Sequence, residues 1–176
     1  MARVSLLNEE LAAPELRERF LRIKEKGGRV LNLFKIMAHC PQVGHQFLLL
    51  GNAILLKGVV PPHLRELAIL RVGQINKAVY EWTQHVPIAL RTGVRQAQVD
   101  ALPHWENSSE FSETEKAILR YTDEETMNVR VKDETFTAVR EILSEEGVVE
   151  LTTAIGYYGM VCRILETLQV ELEKKE

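Results

Sequence analysis

Glu81 and His85 stand four residues apart in the stretch "YEWTQHVPIAL", Tyr80 to Leu90. Four residues is about one helical turn, so on a helix the carboxylate and the imidazole lie one above the other. A carboxylate favours the imidazolium while burial disfavours it, and together they can hold the ring titrating near neutral pH, as general acid–base work requires. The same spacing also describes an ordinary ion pair on a helix surface, which contributes roughly a few tenths of a kcal/mol. Both readings are open at this point. On a helical wheel Val79, Trp82, Val86 and Leu90 share one side, with His85 at its edge and Glu81 just outside. That predicts a pair at the boundary between core and a wetter region, either a cleft wall or a half-buried surface. Pro87 inside the same helix removes one backbone hydrogen bond and frees the carbonyl of Thr83.

A third group precedes this pair. In "HLRELAIL", Glu66 shares a face with Ile69, Leu70 and Gly73. A carboxylate on an apolar stripe needs a partner, because burying it alone is costly. If its helix and the next form an antiparallel hairpin, Glu66 reaches His85 or Glu81; otherwise Arg65, Arg71 or Lys77 serves. His39 precedes Cys40 at a helix end, where a cation suits the dipole, and His45, His63 and His104 have no cysteine or carboxylate at metal-ligand spacing beyond what chance supplies. With no H-E-x-x-H and no paired Cys/His cluster, no metal site is expected. Glycine-rich phosphate loops and a G-x-S-x-G elbow are also missing, which leaves nucleotide cofactors and serine-nucleophile chemistry unsupported. Cys40 and Cys162 form no C-x-x-C and read as small hydrophobes, unless the fold brings them together as a redox pair.

Helices must position these groups. Helical periodicity dominates, and proline and glycine punctuate it. The first helix follows Pro14 and stops at Gly27-Gly28; a second covers "RVLNLFKIMAHC". The third, "QVGHQFLLLGNAILLKG", is apolar enough to be largely buried. Pro61 and Pro62 open the helix of Glu66, and the helix of His85 closes near Gly93. "RQAQVDAL" is a short helix, followed by a polar loop "PHWENSSEF". Ser112 and Glu115 make a capping box for "ETEKAILRYTDEETMN", and Asp133 caps "ETFTAVREILSEEG". A long last helix from Gly147 carries Val149, Thr152, Ile155, Gly156 and Tyr158 near one face, ending in a charged tail, "ELEKKE", expected to fray.

The chain of 176 residues, 45% hydrophobic and 27% charged, has the make-up of one soluble globular domain, residues 1–176. A net charge of −3 with no basic block argues against nucleic acid or an anionic membrane as partner. The longest candidate membrane span, "GHQFLLLGNAILLKGVV", is too short and is interrupted by Gly51, Asn52 and Lys57. Without an apolar N-terminal leader the expectation is a cytoplasmic protein.

Residues 64–94, "LRELAILRVGQINKAVYEWTQHVPIALRTGV", resemble the signature of the carboxymuconolactone decarboxylase family, whose superfamily includes alkyl hydroperoxidase D. "NLFKIMAHCP", "FSETEKAILRYTDE" and "IGYYGMVCRILETLQVELE" resemble its flanking segments. The resemblance implies an all-α, single-domain bundle of the alkyl hydroperoxidase D-like type. Its central signature hairpin would be residues 61–94, after an N-terminal helical extension, 1–60. It also implies a homo-oligomer, trimer or hexamer, that takes a small-molecule substrate. In the hydroperoxidase branch the motif is a Glu, then C-x-x-C, then a His. Glu66 and His85 fall on its Glu and His, but Ala78 and Glu81 occupy the cysteine positions. Disulfide exchange needs one thiolate to attack and a second thiol to resolve, so that chemistry does not carry over.

The cysteine-free decarboxylase branch, with its "YEW-x-x-H", is the closer resemblance. It implies loss of carbon dioxide from a carboxylated lactone or related small acid, with no metal or organic cofactor. By that resemblance His85 is proton donor or shuttle, Glu81 orients and charges it, and Glu66 is a second proton-transfer site. Tyr80 and Trp82 are pocket walls. The alternatives are a hydroperoxidase-like redox protein using Cys40 and Cys162, and a non-catalytic oligomeric protein that binds a small molecule.

Overall fold

The computed structural model describes residues 2–174. Among them are nine α-helices, one short 3₁₀ helix and no strand. They group into two compact units: residues up to Leu56 with those from Leu165 onward, and Lys57–Ile164.

The first unit contains α1 (Pro14–Glu25), α2 (Asn32–Met37) and nearly all of α3 (Pro41–Lys57). Pro14 sits at the start of α1, where its fixed φ suits a first turn. Leu16 and Phe20, one turn apart, bury that helix's inner face. The chain then turns through Gly27 at φ +72°, a left-handed conformation open to glycine at no steric cost. Gly44 lets α3 approach the end of α2, since a Cβ there would lie 2.4 Å from the Met37 carbonyl oxygen.

Two expectations change in this unit. The apolar α3 is not largely buried: Gly44, Phe47, Leu48, Gly51 and Ile54 face inward, while Val43, Leu49, Leu50 and Leu56 are exposed. Its apolar run is wider than the stripe one packed face of a helix can cover. The charged tail is also docked rather than frayed as far as Lys174. The Asn32 backbone N–H donates to the Glu173 carboxylate at 2.6 Å and its side-chain amide to the Glu171 carbonyl at 3.0 Å. Arg29 donates to the Lys174 carbonyl. The last two tail residues lie outside the described ones.

The second unit is built around α4 (Pro62–Ile75), which packs against α5 (Val79–Arg91) and α7 (Glu113–Asn128). Leu64 through Leu70, Val72 and Gly73 are all buried, so α4 is enclosed around most of its circumference. Leu67 and Leu70 join Ala89, Leu102, Trp105 and Leu119 in the unit's apolar core. Between α5 and α7 come α6 (Gln96–Ala101) and a 3₁₀ helix, Leu102–Asn107. The "polar loop" is therefore partly helical, and Trp105 anchors it at 1% exposure. The Trp105 indole N–H donates to Asp123 Oδ2, and Arg71 grips both Asp123 oxygens at 2.6 and 2.7 Å.

The capping box at Ser112 is present, with the Ser112 N–H donating to Glu115 Oε2 and the Glu115 N–H to Ser112 Oγ. Asp133 is not a cap. It is the first residue of α8 (Asp133–Ile142), and Lys132 holds the cap position. Glu124 of α7 takes over the capping role, accepting the Lys132 N–H at 2.8 Å and the Thr135 hydroxyl at 3.0 Å. In α9 (Glu145–Leu168) the buried face carries Leu151, Ala154, Ile155, Tyr158 and Cys162, while Val149, Thr152 and Gly156 turn outward. The five residues expected on one face are thus split. By length and composition α9 could span a membrane, unlike the shorter α3 run, yet 56% of its apolar window is buried within the protein, as in a core helix.

Candidate active site

The hairpin of α4 and α5 turns at Asn76–Ala78, with Lys77 at φ +55°. Folding α5 back along α4 brings His85 beside Glu66. His85 Nδ1 lies 2.8 Å from Glu66 Oε2, and Nε2 lies 3.0 Å from Glu81 Oε1. The first contact is an aligned hydrogen bond; the second is an ion pair whose angle leaves Glu81 Oε1 without one. Glu66, Glu81 and His85 are all buried. Next to Glu66 on α4, the buried Arg65 places Nε 3.6 Å from Glu66 Oε1. From α9, Tyr158 meets the imidazole edge to face at 4.9 Å, and Tyr157 packs on Tyr158 in the same manner.

The pair is more buried than its wheel suggested. Tyr80, Glu81, His85 and Ala89 face inward on α5, while Val79 and Leu90 are exposed. Trp82 and Val86 lie on the flank, half-buried against the apolar core. The apolar stripe is thus rotated off the core axis, and the inward position goes to the side chains that meet Glu66.

Both imidazole nitrogens face carboxylates. A neutral ring has only one N–H and would set a lone pair against one of them, whereas the imidazolium donates to both. Burial pushes the pKa of His85 down, but the hydrogen bond to Glu66, the close contact with Glu81 and the charges of both carboxylates outweigh it and raise the value to about 9. The phenol of Tyr158 is held well above its ordinary range, by burial first and then by the charges of Glu81 and Glu66. Tyr157 is raised by burial and by Glu81. These rings form a wall that stays uncharged. Three buried polar atoms, Arg65 Nε, Glu66 Oε1 and Glu81 Oε1, have no hydrogen-bond partner.

An apolar groove of about 270 Å³ lies alongside, lined by Gly73, Lys77, Ala78, Val79, Trp82 and Pro103. Gly73 links it to the charged cluster: a Cβ built there would stand 3.7 Å from Cβ and Cγ of Glu81. Trp82 walls this groove; Tyr80 is buried and is not among its lining residues. Glu66, Glu81 and His85 thus come together as one cluster, with Trp82 beside it. Arg65 and Tyr158 belong to the same cluster and were not among the expected site residues. Arg65 was visible only as one of three possible partners for Glu66, and Tyr158 only as part of an apolar stripe. Arg71 belongs to Asp123 instead. Among the described residues no three His, Cys, Asp or Glu side chains converge as metal ligands. Neither cysteine is in a disulfide; Cys40 is exposed and Cys162 fully buried.

The model of the carboxymuconolactone decarboxylase family matches residues 41–124, which include the whole hairpin. The uncharacterized protein YdfG of Bacillus subtilis (strain 168) is 32% identical over 102 residues, covering 57% of this chain and 69% of that protein. Among solved structures, the alkylhydroperoxidase AhpD core of an uncharacterized peroxidase-related protein from Ralstonia eutropha JMP134 superposes with a TM-score of 0.87. That match has 20% identity and covers 98% of this chain and 93% of the other. A substituted form of the debrominase Bmp8, in complex with 2,3,4-tribromopyrrole, superposes with a TM-score of 0.81 at 21% identity, covering 98% and 94%. At these identities the structural matches establish the shared all-helical fold.

Proposed function

The chain belongs to the carboxymuconolactone decarboxylase family, and from that premise we propose that it is a cofactor-independent lyase that removes carbon dioxide from a carboxylated lactone or related small conjugated acid. One observation carries the reading: the His85 imidazole is held between two buried carboxylates, beside an apolar groove. Decarboxylation requires the leaving carboxylate to stay ionised while its electrons move into a conjugated acceptor, which is then protonated. A low-polarity pocket favours that delocalised transition state over the localised carboxylate, and a positioned proton donor completes the step. His85 is the proton source, kept charged by Glu66 and Glu81, while the groove at Trp82 takes the apolar body of the substrate. A groove of this size suits a small ligand.

A thiol-peroxidase mechanism finds less support. Ala78 and Glu81 offer no sulfur beside His85, and the fully buried Cys162 has no surface from which to attack a peroxide. The reading extends to a trimeric or hexameric assembly, which the exposed Val149 and Met160 of α9 would suit and light scattering would test. The deciding experiment follows carbon dioxide release from a panel of carboxylated lactones, with His85→Ala beside the wild type. Release by the wild type and its loss in the variant, at unchanged circular dichroism, supports the lyase. Equal rates in the wild type and the variant, or no release across the panel, refutes it for those substrates.

A further inference from the structure

We propose that Arg65 decides which carboxylate exchanges the proton: it makes Glu66 the fixed anchor of His85 and leaves Glu81 to pass the proton toward the groove. The chemistry rests on the proton-transfer reading above, although its test does not.

Four observations give the cluster a direction. Arg65 stands against Glu66, with both side chains at 6% exposure or less. Among the described residues His85 is the only cation within 4 Å of Glu81. The Glu66 contact is an aligned hydrogen bond and the Glu81 contact is not, so Glu81 is held less tightly. Glu81 also packs against Gly73, which lines the groove, whereas Glu66 is completely buried. From α9, Tyr158 faces the imidazole and Tyr157 packs behind it, and both stay protonated and add no charge.

The two possible proton transfers differ in what they leave behind. A proton moved from His85 to Glu66 would leave the buried Arg65 guanidinium facing a neutral acid, its charge uncompensated, which is strongly unfavourable in a buried site. A proton moved to Glu81 leaves the Arg65–Glu66 pair intact. Nδ1–H still donates to the Glu66 carboxylate, and the Nε2 lone pair accepts from the Glu81 acid. In turnover the Glu81 acid donates its proton to the carbon that carbon dioxide has left, and the electrons of the broken C–C bond form the new C–H bond. Water then returns a proton to Nε2 of His85, which restores the imidazolium beside the Glu81 carboxylate. Arg65 is a positioning residue acting through Glu66.

The test is a pH titration by NMR of protein labelled with 15N-histidine, without substrate, with His85 assigned by its loss in His85→Gln. In the wild type the proton above the titration is expected on Nδ1, with Nε2 bare. Arg65→Gln and Arg65→Met, made in parallel and checked by circular dichroism, are expected to shift that toward a mixture of both tautomers. Arg65→Lys is expected to restore it. A wild-type proton resting on Nε2, or a folded neutral variant with an unchanged tautomer, overturns the proposal. Because the spectra need no turnover, failure of the lyase assay would leave this result standing.

Discussion

Glu66 Oε2 and His85 Nδ1 lie 2.8 Å apart across the α4–α5 hairpin, although the two residues are 19 apart in the chain. The contact is buried on both sides, and it sets the imidazole between its two carboxylates. It therefore ties the hairpin's geometry to the charge state of one ring. Because the folded pKa of His85 is raised to about 9 from 6.5, the native state binds its proton more tightly than the unfolded chain does. The stability this contributes is fully present below pH 6.5 and is lost as pH rises through 9. The loss is on the order of 3 kcal/mol. Urea unfolding at intervals from pH 6 to pH 10 should show that decline, and His85→Gln should flatten it.

Glu125 produces a second decline in a different window. On α7 it is half-buried, its Oε2 has no partner, and burial raises its pKa from 4.5 to about 7. The fold again favours the protonated form, so this contribution is complete below pH 4.5 and disappears as pH rises through 7. Glu125→Gln keeps the shape and removes the charge. Thermal unfolding at pH 8 should show it more stable than wild type by about 1 kcal/mol, after discounting for partial exposure. At pH 4 the two should coincide.

How much of the cluster could be read beforehand follows from which interactions are local. The Glu81–His85 spacing and the Ser112 box depend on one helical turn, so the amino-acid order alone places them. Glu66 was recognisable as an acid on an apolar stripe, but its choice of His85 and Arg65 over Arg71 depended on the packing of α7. There Asp123 claims Arg71 through both oxygens, and Trp105 adds a third bond from a segment that read as a loop. The outward turn of Val79 and Leu90 was hidden for the same reason. A helical wheel ranks faces by hydropathy, and here a buried charge network takes the inward face. Asp133 misled because a carboxylate at a helix start looks like a cap, while Glu124, nine residues earlier in the chain, reaches that position through space.

Removing both partners of the Glu66–His85 pair should cost less than the sum of removing each alone. Glu66→Ala leaves the buried Arg65 without its partner and His85 with Glu81 alone, and breaking a buried pair in this way costs about 3–5 kcal/mol. Removing the imidazole as well relieves part of that penalty. In a double-mutant cycle of Glu66→Ala and His85→Ala, equilibrium unfolding at pH 7 should give a coupling of about 1–3 kcal/mol. Strict additivity would mean the contact contributes nothing to stability.

The sulfurs provide the sharpest separation between the lyase and a thiol-dependent activity. Neither cysteine stands at the two positions ahead of His85 that Ala78 and Glu81 occupy, and Cys162 is fully buried on α9. A thiolate nucleophile must be ionised and reachable by its substrate, and burial in apolar surroundings opposes both. The double variant Cys40→Ser with Cys162→Ala should therefore release carbon dioxide at the wild-type rate from any lactone the wild type accepts, with no response to added reductant. His85→Ala should abolish release. Loss of activity in the cysteine variant, at unchanged circular dichroism, would move the chemistry from the hairpin cluster to the thiols.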